Sequence, residues 1–134
     1  MFNPAVAVLT RLGLSVAGSR VLEVRGRTTG QPRQTPVNPL TLGGTRYLVA
    51  PRGNTQWVRN LRARGEGRLL AGRRAEDFTA AELPDDDKPP ILRAYLKRWK
   101  WEVGVFFAGV GPDSTDEELR AIAGDHPIFR IDSR

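Results

Sequence analysis

The sequence predicts an α+β domain, mainly β, in which a small barrel of strands is flanked by helices. Two observations point there. Between Arg20 and Leu83, short segments of apolar–polar alternation are separated by turns bearing glycine and proline. Beyond them, Ile91, Leu92, Tyr95, Leu96 and Trp99 recur at helical spacing. A length of 134 residues suits one core, so residues 1–134 are read as one domain.

The elements follow in chain order. Residues 1–18 are mildly apolar, with Val6, Val8, Leu9, Leu12, Leu14 and Val16 around Arg11, and are expected to form an N-terminal helical segment on the domain. In Arg20 to Arg25, Leu22 and Val24 alternate with charged neighbours as in a strand. Gly26 to Pro32 is rich in turn residues. Gln34 to Leu42 contains Pro36 and Pro39, which suits an edge or bulged strand because proline gives no ladder donor. Gly43-Gly44 signals a hairpin into a compact strand, Arg46 to Ala50. After a loop from Pro51 to Asn54, Asn54 or Thr55 is expected to cap a helix with Trp57, Val58 and Leu61 on one face. Arg68 to Ala71 and Arg74 to Leu83 read as strands around the Gly72 turn. Asp85 to Asp87, with Pro89 and Pro90, is expected to open the next helix, acids in its first turn. Val103 to Val110 is apolar and fits no element. Ser114 with Glu117 fits a capping box for a short helix, and Ile128 to Ile131 reads as a closing strand.

Charge is unevenly distributed. Residues 1–74 hold 13 arginines, no lysine, and only Glu23 and Glu66 as acids, a net charge of +11; residues 75–134 carry −5. Arginine's planar fork binds phosphates and carboxylates bidentately, so the first half suits a large, multiply anionic ligand. There is no cysteine, which excludes disulfides, thiolate metal sites and cysteine nucleophiles, and the single histidine, His126, excludes multi-histidine metal sites. No metal is expected.

No run approaches the ~20 apolar residues of a membrane span. Residues 1–18 lack the charged start and cleavage site of a signal peptide. The expected location is the cytoplasm, with residues 1–18 as the segment for any peripheral contact at the inner face of the membrane.

Two segments concentrate binding chemistry. Gly26-Arg27-Thr28-Thr29-Gly30-Gln31-Pro32-Arg33 joins two glycines, two hydroxyls and two arginines in one turn, a composition suited to an anion-binding nest. Arg52-Gly53-Asn54-Thr55-Gln56-Trp57 runs from a glycine loop into a helix N-terminus, where unpaired N–H groups and the helix dipole favour negative charge. Trp57 and Asn60 lie one turn apart on that helix, and a buried Asn60 needs hydrogen-bond partners. No acid–base pair or nucleophile emerges, so no catalytic residue is assigned; this suits a binding module or an enzyme whose cofactor performs the reaction.

The order strand, G-R-T-T-G-Q-P-R, strand, hairpin, strand, R-G-N-x-x-W-x-x-N-L-R-A resembles the deazaflavin-dependent nitroreductase family, also called coenzyme F420H2-dependent quinone reductases. The ending E-E-L-R-A-I-A-G-D-H-P-I-F-R-I is similar to that of its shorter members, and the likeness spans residues 20–131. The resemblance implies a split β-barrel of the flavin-reductase (FMN-binding-like) type with peripheral helices. It implies that Arg27, Thr28 and Arg33 hold phosphate and tail groups of coenzyme F420, that Arg52 and Gly53 form the loop before the helix, and that Trp57 and Asn60 lie near the coenzyme. Thr28 stands where the family often has lysine or arginine, and Pro51 where serine is common. The implied reaction is hydride transfer from the reduced coenzyme to a small organic acceptor: a quinone, a nitroaromatic or an activated alkene. Tyr95, Trp99, Trp101, Phe106 and Phe107 suit either an apolar acceptor pocket or core packing.

Three other readings share parts of this pattern. A related barrel could use FMN; a carrier could bind F420 or FMN without turnover; a basic module could bind nucleic acid. No nucleic-acid motif accompanies the arginines, so no nucleic-acid partner is expected. Oligomeric state is not legible in the sequence.

Overall fold

The computed structural model describes residues 18–107 and 109–134. The expected N-terminal helix lies outside these residues except for Gly18. Among the described residues are seven strands in one antiparallel sheet: β1 Arg20–Arg25, β2 Pro32–Val37, β3 Leu40–Leu42, β4 Thr45–Val49, β5 Glu66–Ala71, β6 Arg74–Glu82 and β7 Ile128–Ser133. The order across the sheet is β2-β1-β5-β6-β7-β4-β3. The sheet curls into a half-barrel. Among the described residues three α-helices pack on it: α1 Gln56–Arg64, α2 Pro89–Val103 and α3 Asp116–Ile122. None is long and apolar enough to cross a membrane.

Prolines explain the edges. The segment expected as one edge strand is two, β2 and β3, interrupted at Asn38-Pro39, and they form the two ends of the same sheet. Pro36 faces Val21 across the β1–β2 ladder, a position tolerated because β2 has no partner on its other side. The expected closing strand, β7, is interior: Ile131 pairs with Arg46 on one side and Ala80 on the other.

Strands β4 and β7 bury both faces, and alternation divides the core in two. Leu48 and Phe129 join Leu22, Val58, Leu61 and Phe78 under α1. Their neighbours Val49 and Ile128 turn the other way, into a cluster with Leu92, Tyr95, Leu96 and Trp99 of α2 and Leu119 of α3. The expected apolar face of α2 is therefore its buried face. The cleft described below lies between the two clusters.

Three local expectations are corrected. Asp85–Asp87 forms a separate 3-10 turn rather than the first turn of α2, which begins with Pro89 and Pro90. Lys88 lies between them, buried, with Nζ 2.7 Å from Asp85 Oδ1 and donating to Ala123 O at 2.9 Å, so its charge is compensated inside the fold. The capping box of α3 is Thr115 with Glu118, one residue later than Ser114 with Glu117. Both pairs have the required spacing, but the Ser114 hydroxyl is taken by the Gly111 N–H at 2.9 Å. Finally, α2 absorbs residues up to Val103, and a 3-10 turn, Gly104–Phe106, follows.

Phe78 is fully buried between the sheet and α1. Phe78→Ala is expected to lower the unfolding free energy by about 3–5 kcal/mol through lost burial and a residual cavity, measured by chemical denaturation.

Candidate active site

The two sequence segments meet through one helix face. Gln56, Asn60 and Arg64 stand four residues apart on α1, so their side chains form one row. All three grip the Gly26–Gln31 turn. Asn60 Oδ1 accepts the Arg27 backbone N–H at 3.0 Å and the Arg27 guanidinium at 2.8 Å. Gln56 Oε1 accepts the same guanidinium at 2.9 Å, and Arg64 donates to Gly26 O at 2.6 Å. The turn closes on itself through Gly26 N–H to Gln31 O at 2.8 Å and Gly30 N–H to Gly26 O at 2.9 Å. These bonds occupy amides that an anion nest would need, so the turn is a scaffold that presents side chains.

The loop before α1 is shaped by Gly53, whose φ of +84° disfavours other residues; an added Cβ would also lie 3.2 Å from Asp125 O. Thr55 is the N-cap residue, but its hydroxyl bonds no helix amide and is buried without a partner. The first turn of α1 holds no acid, so its positive end is uncompensated by protein. Below the loop, His126 stacks on Phe107 with centroids 4.1 Å apart, and its Nδ1 lies 2.9 Å from Pro51 O. Burial lowers the His126 pKa from 6.5, so the fold favours the neutral ring.

In front of these elements opens a cleft of about 860 Å³, walled by β1, β2, the N-terminus of α1 and the C-terminal half of α2. Arg33, Arg52, Thr55, Gln56, Trp57 and Asn60 line one end. The other end is lined by a polar chain: Ser19 donates to Asn38 Oδ1 at 2.9 Å, and Asn38 donates to Glu102 Oε2 at 3.0 Å. Tyr95 borders this chain. Burial pushes its phenol pKa up, and the Glu102 carboxylate reinforces the shift, so Tyr95 stays protonated.

Ion pairing separates the arginines by role. Away from the cleft, Arg46 pairs with Glu76, Arg62 with Glu82, Arg68 with Asp77 and Arg134 with Glu66. The Arg46 hydrogen bonds and that from Ser133 hold the Glu76 pKa down to about 2. Among the described residues, neither Arg33 nor Arg52 has a carboxylate partner. The Arg52 guanidinium lies 4.9 Å from the centre of the Phe106 ring.

Of the residues singled out in the sequence, the structure thus brings Arg33, Arg52, Trp57 and Asn60 to one cleft, with Arg27 behind Asn60. Thr28 is exposed on the turn and Gly53 shapes the loop; neither lines the cleft. Of the five aromatics, Tyr95 and Phe106 line it, Trp99 and Phe107 are core, and Trp101 is exposed. Sequence reasoning passed over Gln56, the Thr55 hydroxyl and the Ser19–Asn38–Glu102 chain. The four-residue spacing of Gln56, Asn60 and Arg64 was the available signal for the first.

Two consequences are measurable. Asn60→Ala strips the Arg27 N–H of its acceptor and is expected to cost about 1–3 kcal/mol in denaturant unfolding. His126 makes stability pH-dependent. Its folded pKa lies below 6.5, so the unfolded chain binds the extra proton first as pH falls. The His126 contribution is complete above pH 6.5 and is lost as pH falls from there to the folded pKa. Thermal melts in that window are expected to slope upward with pH in the native protein, with a shallower slope in His126→Gln.

Comparison with known proteins agrees with the fold. The structure is similar to an F420-H2 dependent reductase, with a TM-score of 0.56 at 16% identity over 86% of this chain and 94% of that one. It is similar to a conserved hypothetical protein from Mycobacterium tuberculosis, with a TM-score of 0.59 at 17% identity over 100% of this chain and 82% of that one. It is likewise similar to an FAD-binding protein from Mesorhizobium loti, with a TM-score of 0.56 at 15% identity over 100% and 91%. At these identities the likeness establishes the flavin-reductase-like half-barrel. No curated protein matches the sequence. The model of the F420H(2)-dependent quinone reductase family matches residues 6–104, which include both turn and helix motifs. The chain therefore belongs to the F420H2-dependent quinone reductase family, oxidoreductases that depend on coenzyme F420.

Proposed function

We propose that the cleft binds reduced coenzyme F420 toward Arg33 and Arg52 and a small organic acceptor, a quinone first, toward Asn38 and Tyr95. The observation that carries this is the pair of arginines, Arg33 and Arg52, left without carboxylates beside an acid-free helix N-terminus. Those groups complement a phosphate and a carboxylate tail. The buried, unpartnered Thr55 hydroxyl supplies a further polar contact that the protein itself does not use. When bound, the reduced deazaflavin supplies the hydride.

The protein's part is binding, orientation and charge. Arg33 from β2 and Arg52 from the loop both line the cleft. Arg27 stays bonded to Gln56 and Asn60, fixing the turn from which β2 departs. Trp57 presents a half-buried ring backed by Phe129, with centroids 6.1 Å apart, as a flat apolar wall. At the far end, Tyr95 borders the Ser19–Asn38–Glu102 chain, its protonated hydroxyl hydrogen-bonded with Asn38. Nitroaromatics and activated alkenes are the further acceptor classes this end would admit.

Fluorescence titration with F420 and with FMN tests the reading. Micromolar binding of the deazaflavin in preference to FMN is expected, with absorbance-monitored oxidation of F420H2 on adding a quinone. Tighter binding of FMN, or no binding of F420, overturns it, and binding without turnover leaves a carrier. Arg33→Ala and Arg52→Ala are each expected to weaken F420 binding by about 1–3 kcal/mol. Arg46→Ala, outside the cleft, is expected to leave it unchanged.

A further inference from the structure

Apolar exposure is concentrated in one place. Among the described residues, the exposed large hydrophobic side chains are Leu42 at 39%, Trp101 at 71%, Val105 at 83% and Phe106 at 36%. All but Leu42 lie on the last turn of α2 and the 3-10 turn after it. The Trp101 Nε1–H donates to Arg98 O at 3.3 Å, which ties the polar edge of the indole to the helix while most of the side chain stays exposed. A tryptophan bonded at one edge and open on the rest is suited to a boundary between water and hydrocarbon.

The same segment is cationic. Lys97 to Phe106 reads KRWKWEVGVF, with three bases and one acid, and that acid, Glu102, accepts the Asn38 amide at 3.0 Å. Lys97 and Lys100 are exposed on the turns before Trp101, and Arg52 stands over Phe106. Long basic side chains beside exposed Trp, Val and Phe complement anionic headgroups above acyl chains. A second copy of the chain is disfavoured as the occupant, because the patch would meet its own positive charge. The aliphatic Val105, the most exposed of the four, has no role on a nucleic acid.

We propose that the Trp101–Phe106 rim docks on a membrane surface containing anionic lipid. Trp101, Val105 and Phe106 enter the interfacial layer, with Lys97 and Lys100 among the headgroups. Val103 and Phe106 also line the cleft, so docking sets that side of it against the bilayer. Delivery of a lipid-dissolved acceptor by this route rests on the quinone reading above; docking itself does not.

Co-sedimentation of the full chain with phosphatidylcholine vesicles, with and without phosphatidylglycerol, tests the proposal. Binding only to the phosphatidylglycerol vesicles is expected, weakened by salt and accompanied by a blue shift of tryptophan emission. Trp101→Ser with Val105→Ser, and separately Lys97→Gln with Lys100→Gln, are each expected to reduce vesicle partitioning by about tenfold or more. No binding by the native chain overturns the proposal. So does native-like binding by the Trp101/Val105 variant, whether carried by residues 1–17 or elsewhere. A dimer that this variant dissociates, without vesicle binding, overturns it in favour of a second copy. F420H2 oxidation with a water-soluble quinone is measured in parallel. Turnover without vesicle binding removes docking alone; vesicle binding without turnover supports docking and removes the quinone reading.

Discussion

The Asn60 side-chain oxygen is the point on which the site depends. It is buried and accepts both the backbone N–H and the guanidinium of Arg27, so one atom fixes the position of a turn more than thirty residues away in sequence. A buried carbonyl in this setting costs free energy unless it is satisfied, which makes the docked turn the low-energy state. Arg64 reinforces it from one helical turn further along by closing on Gly26 O. The turn and α1 therefore behave as one unit. What remains free to meet a ligand is what this unit does not consume: Arg33 at the start of β2, Arg52, and the first amides of the helix.

Charge pairing then distinguishes surface from site. The second half of the chain carries most of the acids, and folding brings several of them onto arginines of the first half: Glu76 onto Arg46, Glu82 onto Arg62, Asp77 onto Arg68. Such exposed pairs contribute little stability each, at most about 1 kcal/mol. Their larger effect is to cancel a basic field over the outer sheet. At the cleft, no carboxylate among the described residues pairs with Arg33 or Arg52, and partial enclosure weakens solvent screening. A net charge of +6 for the whole chain conceals this arrangement.

Most of the fold was legible because periodicity and turn chemistry agree along this chain. The Gly43-Gly44 hairpin, the strands around Gly72 and the buried face of α2 stand where the sequence puts them. The misplaced boundaries are those where two local rules compete. Ser114 and Thr115 both satisfy a capping box, and only the tertiary claim of Gly111 on the Ser114 hydroxyl decides between them. Asp85–Asp87 has the composition of a helix first turn, but burial of Lys88 against Ala123 O sets it apart as a 3-10 turn. In the site, composition found Arg33, Arg52, Trp57 and Asn60 but misjudged how the glycine turn works. Two glycines and two hydroxyls suggested a nest, whereas those amides largely bond within the turn or to Asn60. That distinction depends on partners remote in sequence. The Ser19–Asn38–Glu102 chain was hidden for the same reason, since its members come from three separate segments.

The two ends of the cleft impose different demands, and their order along it limits the chemistry. Negative charge is stabilised near Arg33, Arg52 and the α1 N-terminus. The far end holds Glu102 and a phenol that burial keeps protonated. An acceptor carrying carboxylates or phosphates would meet the Glu102 carboxylate there, with Arg20 beside Ser19 as the neighbouring cation. An acceptor there would border Tyr95, the Asn38–Glu102 pair and the ring of Phe106, over which Arg52 stands. In the proposed reading the anionic coenzyme lies toward Arg33 and Arg52 and the acceptor toward Asn38 and Tyr95. This arrangement explains why Glu102 is tolerated in a basic cleft. Bonded to Asn38 and standing at the end away from Arg33 and Arg52, it leaves their positive charge available to the ligand.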